Sequence, residues 1–225
     1  MKLLLILGIL TTCLATPQDL TGKMFTFPRS SITSYVKLFA SRTQFSAVTL
    51  CQRFLTDLKR DYCYFSLSTS KSSNGFMLMW DAKNKELEVY TQDVTSIFNI
   101  PGAMELNMWH SLCTTWESTS GLVQVWLDGQ QSPRKSGFLG GKYDDRAMII
   151  VLGQEQDSHG GSFDFNQSFT GMMSDVHMWS KALSPCEIRA YLDDGDFTPG
   201  DVINWKGLEF QIFDQVLIEN KDLVG

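Results

Sequence analysis

The chain has 225 residues, 43% of them hydrophobic, with 25 acidic against 19 basic side chains and a formal net charge of −6. A field of that sign disfavours nucleic acid or an anionic membrane as a bulk electrostatic partner and favours metal cations. No run of about eighteen or more apolar residues is present, so no transmembrane segment is predicted.

The first predicted element is a leader. Lys2 precedes the apolar run Leu3 to Leu10, and small residues follow before Pro17, which is the layout of a secretory signal peptide. Cleavage is expected after Ala15, giving a signal peptide over 1–15 and one domain over 16–225, secreted and extracellular. A sandwich of that size is commonly a single domain.

Short runs rich in Val, Ile, Phe, Tyr and Thr then recur: "YVKLFA", "SAVTLCQRFL", "YCYFSLS", "GFMLMW", "ELEVY", "SIFNI", "GLVQVWLDG", "AMIIVLG" and "DVHMW". Turn residues separate them, including Asn74-Gly75, Asp128-Gly129 and Gly140-Gly141. In "LVQVWL", Val123, Val125 and Leu127 fall on one face and Leu122, Gln124 and Trp126 on the other, the period of a strand in a packed sandwich. The expected fold class is all-β, an antiparallel two-sheet sandwich. Trp116, Trp126, Trp179 and Trp205 read as core or interface aromatics.

The segment Gly153 to Ser168, "GQEQDSHGGSFDFNQS", places Glu155, Asp157, Asp164, Asn166 and Gln167 within sixteen residues that hold no lysine or arginine. In extended chain Glu155 and Asp157 share a face, with Cα atoms roughly 6.5 to 7 Å apart. Two carboxylates that close repel unless something positive sits between them. Calcium takes six to eight oxygens from carboxylates, amides and backbone carbonyls at about 2.3 to 2.6 Å. Gly160-Gly161 lets the loop double back and present Asp164 and Gln167, so a metal site uses every one of these groups. A solvated acidic loop is the plainer alternative, and the spacing is not that of an EF-hand.

A third reading is glycan hydrolysis, because Glu-x-Asp resembles the start of the Glu-x-Asp-x-x-Glu motif of laminarinase-type glycoside hydrolases. Such enzymes need a second carboxylate. The position three after Asp157 is Gly160. No catalytic residue is assigned, and the chain is expected not to be an enzyme. "NQS" from Asn166 is also an N-glycosylation sequon.

One helix is predicted, Pro185 to Leu192, with Ser184 as N-cap, Glu187 as the reciprocal partner of a capping box, and Asp194-Gly195 as its end. Cys13 leaves with the leader, so Cys51, Cys63, Cys113 and Cys186 remain, and four cysteines allow three connectivities. Their spacings match neither a zinc ribbon nor a redox pair. His110, His159 and His177 are scattered without metal-ligand spacing.

"CTTWES" from Cys113 to Ser118 resembles the pentraxin signature, "LGQEQDSHGGSFDFNQS" resembles that family's calcium loop, and "HMWSKALSPCEI" and "INWKGLEF" resemble its later landmarks. The similarity runs from about Thr21 to Phe210 and is to short pentraxins of the C-reactive protein and serum amyloid P type. The resemblance implies a two-sheet jelly roll like that of legume lectins, a flat homopentamer, and two calcium ions (Ca2+) per subunit. By position, Glu155 and Asp157 would bridge both ions, with the backbone carbonyl of Gln156 adding a ligand. Asp164 and Gln167 would complete one ion and Asn74 the other. The family disulfide maps onto Cys51 and Cys113; Cys63 and Cys186 have no counterpart, leaving a mutual bridge, a bridge between subunits and free thiols open.

Departures accompany the resemblance. Ser73 stands where the family has a carboxylate, Asp164 replaces a glutamate, and Ser111 stands where the signature has histidine, with His110 beside it. Met79 and Thr95 fall where the phosphocholine-binding member carries a phenylalanine and a glutamate in its ligand pocket. The implied role is a lectin-like, acute-phase pattern-recognition protein of innate immunity. It would bind phosphocholine, phosphoethanolamine or other phosphomonoesters, or anionic or pyruvylated carbohydrate, on microbial or damaged-cell surfaces. Complement components and Fc receptors are the implied effector partners. A scaffold with purely structural calcium is the further alternative.

Overall fold

The computed structural model describes residues 16–100 and 104–221, so the predicted leader lies outside the described residues. Two antiparallel sheets face each other. In the first the strands run Gln130–Gln131, Leu122–Leu127, His110–Glu117, Ala47–Leu55, Gly171–Trp179, Lys23–Phe27, Leu217–Asn220, with Lys135–Ser136 also on Leu122–Leu127. In the second they run Phe210–Phe213, Tyr35–Leu38, Ile149–Leu152, Tyr62–Ser68, Phe76–Asp81, Glu86–Thr91, Val94–Asn99.

The alternation read from the sequence places the two layers. Val123 and Val125 enter the sandwich core, as do Leu87 and Val89 from the other sheet, where half-buried Glu86, Glu88 and Tyr90 face outward between them. Trp116 and Trp205 lie in this core. Trp126, on the opposite face of its strand, is buried in a different way: the helix Pro185–Leu192 lies over it, and Cys51, Cys113, Trp179, Ile188 and Tyr191 form a second cluster there.

That helix is fixed by local chemistry at one end and by a distant strand at the other. Ser184 Oγ accepts from the Glu187 N–H at 3.3 Å, and Glu187 accepts from the Ser184 N–H at 2.7 Å, closing the predicted capping box. At the other end Arg53 donates to the Tyr191 and Leu192 carbonyls, both at 3.2 Å, and to Asp194 at 2.7 Å, placing a cation at the negative end of the helix. The left-handed residue that turns the chain away is Asp194, with φ 51°, rather than Gly195.

Cys51 and Cys113 face each other on adjacent strands and are joined by a disulfide. In the chain-entropy treatment, a loop of this length contributes about 4 kcal/mol of stability. Cys63 is a buried free thiol on the second sheet and Cys186 an exposed one on the helix. The first packs with Met77 and Met79 on the outer face of its sheet, so the two thiols sit on opposite outer faces and form no bridge within one chain. The sandwich thus has a helix on one outer face and, on the other, the acidic loop.

Candidate functional site

The loop leaves the strand Ile149–Leu152 through Gly153, whose φ is +87° and whose absent Cβ would lie 2.4 Å from the Phe27 ring. A side chain there would be both strained and overlapped. Two buried glutamines then fasten the chain. Gln154 donates to the Ser31 and Ser34 carbonyls at 2.6 and 3.0 Å. Gln156 donates to the Ser66 and Ile149 carbonyls at 3.0 and 3.1 Å and accepts from Ser68 Oγ at 2.8 Å and the Gly160 N–H at 3.0 Å. The loop is therefore folded back onto the outer face of the second sheet.

Glu155 is held between these fasteners. It is only 4% exposed, and its Oε2 is buried with no hydrogen-bond partner. Burial, then the charge of Asp157 and its hydrogen bond, then the charge of Asp164, raise its carboxyl to about 7. Asp157 is exposed beside it. Leaving a buried acceptor unpaired costs about 1 to 3 kcal/mol, and more when it is charged.

Asp164 caps the short 3-10 turn Phe165–Gln167, accepting from the Asn166 N–H at 2.9 Å and its side-chain amide at 3.2 Å through one oxygen. The Gln167 N–H donates to the Asp164 carbonyl at 3.1 Å, closing the turn. Arg60 closes the loop from behind, donating to the Asn166 carbonyl at 2.8 Å and to Ser30 Oγ at 2.6 Å. Sequence reading missed Arg60, since it lies far away along the chain and carries no motif.

Asn74 sits on a separate turn, between the strands Tyr62–Ser68 and Phe76–Asp81, and its Oδ1 is also buried without a partner. Among the described residues no group of three or more His, Cys, Asp or Glu side chains gathers as a metal cage. A cation here would have to draw on amide and backbone oxygens as well, as the calcium chemistry of the sequence requires. Two unpartnered buried oxygens, from Glu155 and Asn74, fit that demand.

Met79 and Thr95 do not meet. Met79 is paired with Glu88 and Thr95 with Tyr90, which puts a strand and a two-residue offset between them and a separation of about 12 Å. Tyr90 fills the intervening space, packing against Cys63, Met77 and Met79 and donating to Glu88 at 2.8 Å. Burial, then that carboxylate, raises its hydroxyl to about 12. A concavity of about 1250 Å³ lies on the other sheet, between the Asp128-Gly129 hairpin and the helix, and Glu155 does not line it.

The geometry speaks against hydrolysis. Gly160, where a laminarinase-type motif needs its second glutamate, has φ +83° and would place a Cβ 2.8 Å from Ile149 Cδ1. A side chain at that position is strained and crowded.

A model described as the pentaxin family matches residues 23–220. The chain is 38% identical over 204 residues to the C-reactive protein of Cavia porcellus, covering 89% of this chain and 88% of that protein. It is 35% identical over 202 residues to the serum amyloid P-component of the same species, with 89% and 88% covered. A native heptameric SAP-like pentraxin from Limulus polyphemus shares the fold, with a TM-score of 0.83 at 23% identity, covering 92% of this chain and 99% of that one. From residue 23 to residue 220, covering both sheets, the helix and the acidic loop, the chain belongs to the pentraxin family.

Proposed function

We propose that the protein is a secreted, calcium-dependent recognition protein of innate immunity that binds its ligands multivalently. As a pentraxin it is not an enzyme. The observation that carries the calcium reading is the buried Glu155 carboxylate, whose Oε2 has no partner and whose proton affinity is raised by Asp157 and Asp164 beside it. Such an arrangement is repulsive by itself and stable around a cation.

In this reading Glu155 and Asp157 would be shared between two ions, the Gln156 carbonyl would add a ligand, Asp164 and Gln167 would serve one ion, and Asn74 the other. The Gln156 side chain is wholly used in fastening the loop, which leaves its backbone for that role. Bound calcium would supply open coordination positions for phosphate or carboxylate oxygens of a ligand. Phosphomonoesters and anionic or pyruvylated sugars carry such oxygens. Tyr90, which fills the space between Met79 and Thr95, disfavours a deep choline pocket and favours ligands held by their anionic group.

Each site would be weak, and a ring of subunits would turn weak sites into high avidity on a repetitive surface without any new contact. A homopentamer is our assignment from the family resemblance of the sequence, with complement components and Fc receptors as effector partners. Retention on phosphocholine-bearing and agarose matrices, with calcium and with chelator, tests the function. Calcium-dependent retention on either matrix supports it. A protein that binds calcium but is retained on neither matrix is a scaffold with structural calcium, and the recognition role falls.

A further inference from the structure

We propose that Asp93 supplies the carboxylate that Ser73 does not, and that it is a calcium ligand beside Asn74. This rests on the calcium reading above.

The strands Glu86–Thr91 and Val94–Asn99 are joined by Gln92 and Asp93 alone, with φ 47° and 63°. Both central residues of the tight hairpin are left-handed, a conformation that aspartate tolerates better than most residues. The tip of this hairpin is docked on the turn that carries Asn74. Gln92 N–H donates to the Gly75 carbonyl at 2.8 Å and Asp93 N–H to the Asn74 carbonyl at 3.0 Å.

Those two backbone bonds hold the tip without help from the Asp93 side chain. Its carboxylate nevertheless turns toward Asn74, with Oδ1 3.4 Å from the Asn74 N–H, a contact long for a hydrogen bond. Covalent geometry keeps Asn74 Oδ1 within about 5 Å of its own backbone nitrogen. Rotation of the exposed Asp93 carboxylate can bring the two oxygens within the roughly 5 Å that one cation with bonds of about 2.3 to 2.6 Å spans.

Asn74 Oδ1 and Ser72 Oγ, from the same turn, are both buried without partners, and Ser72 is only 7% exposed. Ser73 offers a neutral hydroxyl. Asp93 is exposed and brings a full negative charge from a neighbouring hairpin to a turn with unpartnered oxygens and no acid of its own. The charge that the sequence lacks at Ser73 is thus restored by topology.

The test is a calcium titration by calorimetry on the wild type, Asp93→Asn, and Asp93→Asn combined with Ser73→Asp. Asparagine keeps the left-handed turn, and unchanged melting in chelator verifies that each variant folds. We expect Asp93→Asn to weaken one calcium equivalent by about tenfold or more while sparing the other, and Ser73→Asp to recover it, because ligand charge count sets affinity. Wild type binding two equivalents that Asp93→Asn leaves unchanged overturns the assignment and keeps the calcium reading. A wild type that binds no calcium overturns both. Loss in Asp93→Asn that Ser73→Asp fails to recover shows that Asp93 acts on the turn and not as a ligand, which also overturns it.

Discussion

His110 Nδ1 lies 2.7 Å from Asp128 Oδ2, while its Nε2 lies 2.8 Å from the Glu105 carbonyl. Both partners are acceptors, so both ring nitrogens must donate, and only imidazolium does that. The hydrogen bond to Asp128 leads the causes that raise His110 above its ordinary 6.5, and burial opposes it. The β-strand opposite presents the Phe54 ring, which adds no charge.

A raised histidine stabilises fully below its unfolded value and loses the contribution as pH rises through its folded value. His110→Gln should therefore destabilise by about 1 to 2 kcal/mol near pH 6, with the deficit shrinking toward pH 9. Urea unfolding at both values, in chelator, checks this. A deficit that does not change with pH would mean a neutral ring. His177 has the opposite sign: burial lowers it to about 4, and its Nδ1 accepts from two backbone N–H groups. Its contribution is intact above pH 6.5 and fades as pH falls toward 4.

Glu155→Gln should have opposite effects with and without calcium. Without the ion, the change removes a charge from a buried, unpartnered oxygen beside two acids, and should stabilise by about 1 to 3 kcal/mol. With calcium, the same change removes a ligand and the stabilisation by the ion should fall. Asp157→Asn, at an exposed position, should show the second effect and little of the first. Melting curves of both variants with calcium and with chelator decide it. Glu155→Gln that melts lower than wild type in chelator would show that the hydrogen bond to Asp157 outweighs the cost of the buried charge.

Gln156 fastens the loop through five hydrogen bonds, three given and two accepted. Gln156→Leu would leave the Ser66 and Ile149 carbonyls and the Gly160 N–H without these partners in a buried setting. The expected cost is about 2 to 4 kcal/mol in chelator, with faster amide exchange across residues 153–161. Exchange that stays slow there would mean that Gly153 and Gln154 suffice to hold the loop.

The helix was legible because its caps are local: Ser184, Pro185 and Glu187 act on their own neighbours. The central strands were legible from alternation. Lys23–Phe27, Phe210–Phe213 and Leu217–Asn220 were not read, and they are held by pairing with distant strands. In the site, the acids could be read because their repulsion is a property of sequence neighbours. Arg60, Tyr90 and Asp93 could not, since each reaches the loop or its surroundings only after the strands have paired. Gln156 could be read only in part, because a backbone role said nothing of where its side chain would go.

Asn166 tests the loop from outside. It is exposed and begins the sequon "NQS", yet its side-chain amide donates to Asp164 at 3.2 Å and its carbonyl is held by Arg60 at 2.8 Å. A glycan on that amide would crowd the bond that orients Asp164, and its bulk would compete with the fold-back that closes Gln167 onto Asp164. Modification must therefore precede folding of this turn or fail. We expect Asn166 to be largely unmodified in the calcium-binding form, measured by glycopeptide mass spectrometry on protein secreted from cultured animal cells. Near-complete occupancy together with undiminished calcium affinity would show that this end of the loop lies farther from the ion than Asp164 and Gln167 are placed in our assignment.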